Sequence, residues 1–296
     1  MALAAQLPTV AERRSRLWGI PVYWHLLSLD APTVAVLWAW SFARVAAIRP
    51  SRCALAVLGV GTWLLYVADR LLDSRSVGYR PLRERHFFHA RHRGGLLFAS
   101  AGALTLLLGL IRAMPPTARR EDILVFAASM LYFATVHLPG LPVECWFPRE
   151  LAVGVLFACA TAVPAWSAFG PTHTVLALPV LLFAGLCFLN CLAIETWEKS
   201  AAPSPRRWVV PIAAMILALA AAVLMLIPEL RSIGAFRLTL STFSSAALLL
   251  ILDQLHRQRT SRNPDPATIT NFLLALRVAA DAILLTPLLF VLPWHP

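Results

Sequence analysis

The feature that most constrains this chain is a series of nine apolar runs with short polar segments between them. Each run has about 17 to 25 residues, the length that an α-helix needs to cross the hydrocarbon core of a bilayer. Proline or glycine occurs between most runs, as is typical of turns between helices. The sequence therefore predicts an all-α polytopic membrane protein with nine transmembrane helices in one domain, residues 1–296. The predicted spans lie near Leu26 to Ala47, Ala54 to Asp73, Gly95 to Ile111, Ile123 to Leu138, Leu151 to Phe169, Val175 to Ile194, Val209 to Ile227, Leu238 to Leu255 and Ile269 to Leu292.

The overall composition agrees with a membrane protein. Apolar residues make up 59% of the chain and charged residues only 14%, which is too apolar for a soluble domain of this length. The formal net charge of +11 suits a surface of anionic lipids and does not require nucleic acid. We therefore expect membrane lipid as a partner, and no nucleic acid.

The distribution of basic residues predicts the orientation. Residues 1–20 contain Arg13, Arg14 and Arg16 and lack the short apolar core and small-residue cleavage site of a signal peptide. With this segment inside, the inside segments hold 17 basic residues and the outside loops hold 8. Because inside loops of membrane proteins are enriched in lysine and arginine, we expect the amino terminus in the cytoplasm, the carboxyl terminus outside, and the cytoplasmic membrane of a bacterium as the location.

The longest and most basic inside segment is the loop of residues 74–94. It places His86, His89 and His92 three residues apart, a spacing that forms a drifting stripe on a helix. One interpretation is a metal site. The other is an interfacial helix whose Phe87 and Phe88 dip into lipid.

Two carboxylates lie at the end of the second predicted span. Asp69 and Asp73 are four residues apart, so on a helix they share one face and can share one cation. Mg²⁺ suits such a pair, because it binds one or two carboxylates and leaves its other positions to water and phosphate oxygens. Arg70, Arg75 and Arg80 could hold the same phosphates. The alternative is an ordinary helix end with solvated ion pairs at the membrane surface.

The order A-D-R-x-x-D followed by R-P-L, from Ala68 to Leu82, resembles the first aspartate-rich motif of the UbiA-type intramembrane prenyltransferases. That family has asparagine where this chain has Leu65 and Tyr79. The resemblance implies a helical bundle around a central cavity, capped by the loop of residues 74–94. It also implies Mg²⁺ as cofactor and isoprenyl diphosphate and a hydrophobic acceptor as partners.

A second polar group lies at the inner end of the sixth predicted span. Glu195 and Glu198 are three residues apart and can face one way, and Asn190 lies deeper; a buried amide alone is usually a helix-packing residue. In place, this group resembles the family's second aspartate-rich motif, and Arg149 resembles a basic residue near the diphosphate. The resemblance implies Asp69, Asp73 and Glu198 as catalytic residues. It implies Asp69, Asp73, Glu195 and Glu198 as metal ligands, and Arg70, Arg75, Arg80, Arg149 and Asn190 as substrate-binding residues.

Other ionisable residues also lie in or near predicted spans, where they are costly unless they are paired or line a cavity. Arg277 and Asp281 are four residues apart in the ninth span, which predicts an ion pair within the helix. Asp30 lies near His25 at the start of the first span. It either lines the inner mouth of the bundle or caps the helix start.

Three functions follow as hypotheses. The first is an enzyme that transfers a prenyl group from an isoprenyl diphosphate to an aromatic or lipid acceptor with the help of Mg²⁺. The second is a degenerate relative that binds a lipid diphosphate or quinone without turnover, which Leu65 and the glutamates of the second motif favour. The third, a transporter, is disfavoured because the acids concentrate at one membrane face and no inverted repeat is visible.

Overall fold

The computed structural model describes most of the chain, and the described residues form helices joined by short turns, with no β-strand among them. The all-α prediction is therefore confirmed for this part of the protein. The described residues are 16–73, 84–137, 148–166, 174–199, 208–228, 230, 234–261 and 266–291. The helices are α1 (Arg16–Leu26), α2 (Asp30–Val45), α3 (Arg52–Asp73), α4 (Glu84–Arg91), α5 (Arg93–Ala113), α6 (Pro116–His137), α7 (Arg149–Trp166), α8 (Thr174–Lys199), α9 (Val209–Leu224), α10 (Phe236–Thr260), α11 (Pro266–Ile283) and α12 (Pro287–Phe290).

In the part of the chain that the structure describes, six helical stretches are long and apolar enough to cross a membrane, which is compatible with an integral membrane protein. They are α3, α5, α7, α8, α10 and the combined stretch of α11 and α12, and they match six of the nine predicted spans. The first predicted span is instead a bent pair, because α1 and α2 meet at 88°. The fourth and seventh predicted spans correspond to α6, which begins with several charged residues, and α9, which has only 16 residues. Neither passes as a crossing helix by length and composition.

The break between α1 and α2 is closed by backbone hydrogen bonds. Ser28 has φ 58°, in the left-handed region. The Leu29 amide donates to the Trp24 carbonyl and the Ser28 amide to the His25 carbonyl, at 3.0 and 3.1 Å. This pair of bonds is the Schellman arrangement that satisfies the last carbonyls of a helix. The chain therefore turns sharply here without glycine or proline.

Consecutive long helices run in opposite directions. At one end of the bundle, Cys53 near the start of α3 donates to the Leu110 carbonyl near the end of α5. At the other end, Tyr132 near the end of α6 donates to the Arg149 carbonyl at the start of α7. We name these the Cys53 end and the Asp69 end, because Asp69 near the end of α3 lies beside Arg149.

The last helices follow the same alternation. The Trp197 indole, near the end of α8, donates to Asp253 near the end of α10 at 3.0 Å. Arg257 on the next turn of α10 lies over the ring of Trp208, which precedes α9, at 5.0 Å. The end of α8, the start of α9 and the end of α10 therefore meet at the Asp69 end.

The core lies between α2, α8 and the carboxyl-terminal helices. The rings of Trp38 and Phe183 stack at 4.2 Å between centroids, and Phe42 packs against both. The Trp38 indole donates to the Leu284 carbonyl at 2.8 Å. Because these side chains are fully buried, they fix α2 at the centre, whereas α5 lies at the periphery with Phe98 84% exposed.

An apolar groove with a volume of about 530 Å³ follows one side of α2. It lies between α2, α3 and the residues around α12. Its walls include Leu29, Val36, Trp40, Leu55, Gly59 and Leu288.

Candidate functional site

The first predicted carboxylate motif lies at the end of α3, against the start of α7. Asp69 Oδ1 is 3.4 Å from Arg149 Nη2, and the two side chains are 34% and 28% exposed. Asp73, one turn on, also interacts electrostatically with Arg149. Since 3.4 Å exceeds the usual length of a charge-assisted hydrogen bond, this partly solvated pair is open to exchange with a ligand.

The start of α7 links this motif to α8. The carboxyl groups of Glu150 and Glu195 interact with each other, and Lys199 pairs with Glu195 from one turn further on. The structure therefore brings Asp69, Arg149, Glu150 and Glu195 together at the Asp69 end. We call these four residues the Arg149 layer.

Two residues of the second predicted motif face α11 instead. Glu198 Oε1 is 2.5 Å from Arg277 Nη2, and both side chains are at least nine-tenths buried. Asn190 Nδ2 donates to Asp281 Oδ1 at 3.2 Å. The predicted ion pair between Arg277 and Asp281 is therefore wrong. Each of these residues contacts α8 instead, Arg277 through Glu198 and Asp281 through Asn190, because the packing of α11 on α8 brings these side chains close.

Arg70 points away from the Arg149 layer. Its guanidinium donates to the His25 carbonyl and to Ser28 Oγ, both at 2.8 Å, and lies 3.5 Å from Asp30 Oδ2. Since Arg70 is 5% exposed, its described contacts hold the α1–α2 break. The predicted substrate-binding residues Arg75 and Arg80 lie outside the described residues.

The histidines of the basic loop have separate surroundings. His89 on α4 is fully buried, and its Nε2 is 3.3 Å from Ser28 Oγ. His92 follows α4, and its ring packs on Phe88 at 4.4 Å between centroids. These two histidines have different partners, and α4 is a short helix, which both interpretations supposed.

A buried polar cluster, which sequence reasoning did not assemble, joins the break to α8 and α11. His25 Nδ1 is 2.8 Å from Asp30 Oδ2 and 3.1 Å from Asp281 Oδ2. With Asn190, which donates to Asp281, these residues form what we call the His25 cluster. The signal for it was present, because Asp30 and Asp281 each needed a partner inside an apolar segment.

The residues at the end of α3 fit Mg²⁺ by the chemistry of their donors. Asp69 and Asp73 offer carboxylate oxygens from one face of a helix, and both side chains are partly accessible. Mg²⁺ binds through one or two such groups and keeps its remaining positions for water and phosphate. Arg149 is placed to hold an anion beside such an ion.

No family model, curated protein or solved structure matches this chain.

Proposed function

We propose that this protein is an intramembrane prenyltransferase that uses Mg²⁺ to bind an isoprenyl diphosphate and transfers the prenyl group to an aromatic or lipid acceptor. The observation that carries the proposal is the Arg149 layer. It gathers the carboxylates at the ends of α3 and α8 around one arginine, at one end of an apolar bundle. A diphosphate needs this combination of metal-binding carboxylates and a guanidinium.

The proposal includes nine crossings of the membrane, with the Asp69 end in the cytoplasm. Asp69 near the end of α3 contacts Arg149 at the start of α7. An even number of crossings must therefore separate them. The contacts of Cys53 with Leu110 and of Tyr132 with Arg149 favour two crossings, by α5 and α6. The hairpin of α9 and α10 favours two further crossings. Because nine is an odd number, a chain that starts in the cytoplasm ends outside.

Each residue of the site has a distinct role in the proposal. Asp69 and Asp73 hold Mg²⁺, which neutralises charge on the leaving diphosphate. Arg149 donates hydrogen bonds to phosphate oxygens once it is released from Asp69. The apolar groove along α2 gives the prenyl chain a wall, and the predicted central cavity would keep water from the reacting carbon.

Labelled geranylgeranyl diphosphate tests the proposal in nanodiscs, with a panel of aromatic and lipid acceptors. We expect wild-type binding to require Mg²⁺ and diphosphate to be released when an acceptor is present. Asp69→Asn and Asp73→Asn should each lower release by about a hundredfold or more, the scale of losing one preorganised electrostatic contact. Asp122→Asn is the matched control, because Asp122 lies near the start of α6 at the Cys53 end. Binding that is equally strong in excess chelator would contradict the metal-bridged site.

The buried pairing of Glu198 with Arg277 favours a second candidate, a protein that binds the diphosphate without turnover. Glu198 was the predicted catalytic residue of the second motif, and a metal ion there would have to displace Arg277. Tight binding by the wild type with no diphosphate released by any acceptor would support this candidate. If turnover occurs, we expect Glu195→Gln to lower it more than Glu198→Gln does, because Glu195 belongs to the Arg149 layer and Glu198 does not. The two variants are compared at the same concentration of folded protein.

A further inference from the structure

The His25 cluster lies deeper in the protein than the Arg149 layer and has its own chemistry. His25 is 1% exposed and Asp30 is 3% exposed, and the Asp281 side chain is 15% exposed. The residues come from four different places in the chain: the end of α1, the start of α2, the middle of α8 and the end of α11. The turn at Ser28 brings the first two together, since it bends the chain by 88° between His25 and Asp30.

The charges in and around the cluster do not balance when its imidazoles are neutral. Asp30 and Asp281 contribute two negative charges, and Arg70 is the cation beside them at 3.5 Å from Asp30. Arg277, one turn from Asp281 on α11, is paired with Glu198. His89 reaches the cluster through Ser28. Among the described residues, one negative charge therefore remains in a buried site, where an uncompensated charge is costly.

The candidate ligand atoms lie close enough to surround one ion. His25 Nδ1, Asp30 and Asp281 each offer one atom, and these atoms lie within 4.8 Å of one another. The contacts of 2.8 and 3.1 Å are a few tenths of an ångström shorter than the separation of about 3.3–3.6 Å expected between tetrahedral ligands that each lie about 2.0–2.2 Å from one ion, so a small opening of the cluster is needed to admit it.

An orphaned oxygen provides independent support. Asn190 is 7% exposed, its amide nitrogen points into the cluster at Asp281, and its Oδ1 has no hydrogen-bond partner within the described chain. An amide oxygen left unpaired in a buried place is costly and is a suitable ligand for a cation. The opposite ring nitrogen of His25, Nε2, also has no partner among the described residues. The two carboxylates beside Nδ1 hold the ring proton there, so metal binding at Nδ1 requires that proton to move to Nε2 or to leave the ring.

We propose that His25, Asp30 and Asp281 bind a divalent transition-metal ion of the Zn²⁺ or Mn²⁺ class, and that the Asn190 amide turns so that its Oδ1 becomes the fourth ligand. One imidazole and several oxygens suit such ions better than they suit Mg²⁺. The ion supplies the missing positive charge and joins α1, α2, α8 and α11 at one point. This site is separate from the Mg²⁺ site proposed on α3 and does not depend on it.

The test uses full-length protein stripped with chelator and then titrated with Co²⁺ or Zn²⁺ alone, with no diphosphate present. The readouts are the visible absorption of bound Co²⁺ and the metal content after gel filtration. We expect one ion per chain and a rise in melting temperature with metal concentration. Asp281→Asn should weaken binding by about a hundredfold, and Asn190→Ala by about tenfold, the range seen when groups around a metal are removed.

Two variants serve as controls. Asp253→Asn changes a carboxylate that is at least as buried as Asp281 but is held by Trp197 and Arg257. Asp69→Asn removes the site of the proposed Mg²⁺. Both should bind Co²⁺ like the wild type. If Asp281→Asn does not fold, as judged by gel filtration, the milder Asn190→Ala variant decides.

Wild type that binds no Co²⁺ or Zn²⁺ would overturn the proposal and leave a shared proton as the compensating charge. Binding that is unchanged in Asp281→Asn and Asn190→Ala would overturn it as well. Loss of binding in Asp69→Asn alone would assign the ion to the α3 site instead. None of these outcomes depends on whether the protein transfers prenyl groups.

Discussion

Two helix ends in this protein are closed by residues in the left-handed region that are not glycine. Ser28 has φ 58° after α1, and Ala47 has φ 55° after α2. At the second site the Ile48 amide donates to the Ala43 carbonyl at 2.8 Å, so the same Schellman arrangement recurs. A residue with Cβ is strained in this conformation by about 1 kcal/mol or more, and glycine is the usual occupant. The difference between the two sites is that Ser28 also binds Arg70 through its hydroxyl.

Glycine should therefore have opposite effects at these two positions. We expect Ala47→Gly to raise the free energy of unfolding by about 0.5–1 kcal/mol, because Ala47 is exposed and only strain is removed. Ser28→Gly should lower it, because a buried guanidinium loses a hydrogen-bond acceptor, at a cost of about 1–3 kcal/mol. Thermal unfolding in detergent, followed by the reactivity of the buried thiol of Cys187, measures both. A stabilised Ser28→Gly variant would show that the hydroxyl contributes little.

At the scale of helices, the contact of α7 with α8 is tightest at Gly154. A Cβ atom there would lie 2.8 Å from the Phe188 amide nitrogen and 3.0 Å from the Ala184 carbonyl oxygen. These are backbone atoms of α8, so a side chain cannot rotate to make room. Because Gly154 is one turn from Glu150, the close approach also sets the distance between Glu150 and Glu195 in the Arg149 layer.

Gly154→Ala should consequently destabilise the protein, and it should also disturb the site. We expect a loss of about 1–3 kcal/mol, the usual cost of overpacking, together with weaker diphosphate binding. Gly102→Ala on α5 is the matched control, because a Cβ there meets nothing within 4 Å; it should stabilise by about 0.5–1 kcal/mol. Parallel melting curves of the two variants measure the difference. Equal melting temperatures would mean that α7 and α8 can separate at little cost.

The sequence predicted the long helices well but missed the bend between α1 and α2. Run length and apolarity identify α3, α5, α7, α8 and α10, because crossing a bilayer imposes both. The bend after α1 carries no such signal, since Leu27, Ser28 and Leu29 include neither glycine nor proline. Helical spacing placed Asp69 and Asp73 on one face and Arg70 about 100° away, but it does not show that Arg70 binds the His25 carbonyl and Ser28. Contacts such as that of His25 with Asp281, 256 residues apart, depend on the packing of the whole bundle.

At the scale of the whole molecule, the contacts at the two ends of the bundle determine which loops share a side. Asp69 with Arg149 and Trp197 with Asp253 place four helix ends together. The loops next to these helix ends carry basic residues that the sequence analysis assigned to the inside segments. Packing therefore places these helix ends on one side of the bundle, and the charge count predicts that this side is the cytoplasm.

Reporter fusions test this layout directly. We expect fusions after Pro81 and Pro203 to read as cytoplasmic, and fusions after Pro115 and at the carboxyl terminus to read as external. A cytoplasmic reading at Pro115 would mean that neither α5 nor α6 crosses, which would keep the Asp69–Arg149 contact but reduce the crossings to seven. An external reading at Pro81 would reverse the whole arrangement.

The meeting of His25 with Asp281 also bears on how the chain is made. His25 leaves the ribosome 256 residues before Asp281 does. Until α11 is made, Asp30 has Arg70 and His25, among the described residues, to offset its charge, and α11 must insert before the contacts of Asp281 form. A chain truncated before α11 would therefore expose ionisable groups within its apolar bundle, which is a defect that membrane quality-control proteases can detect.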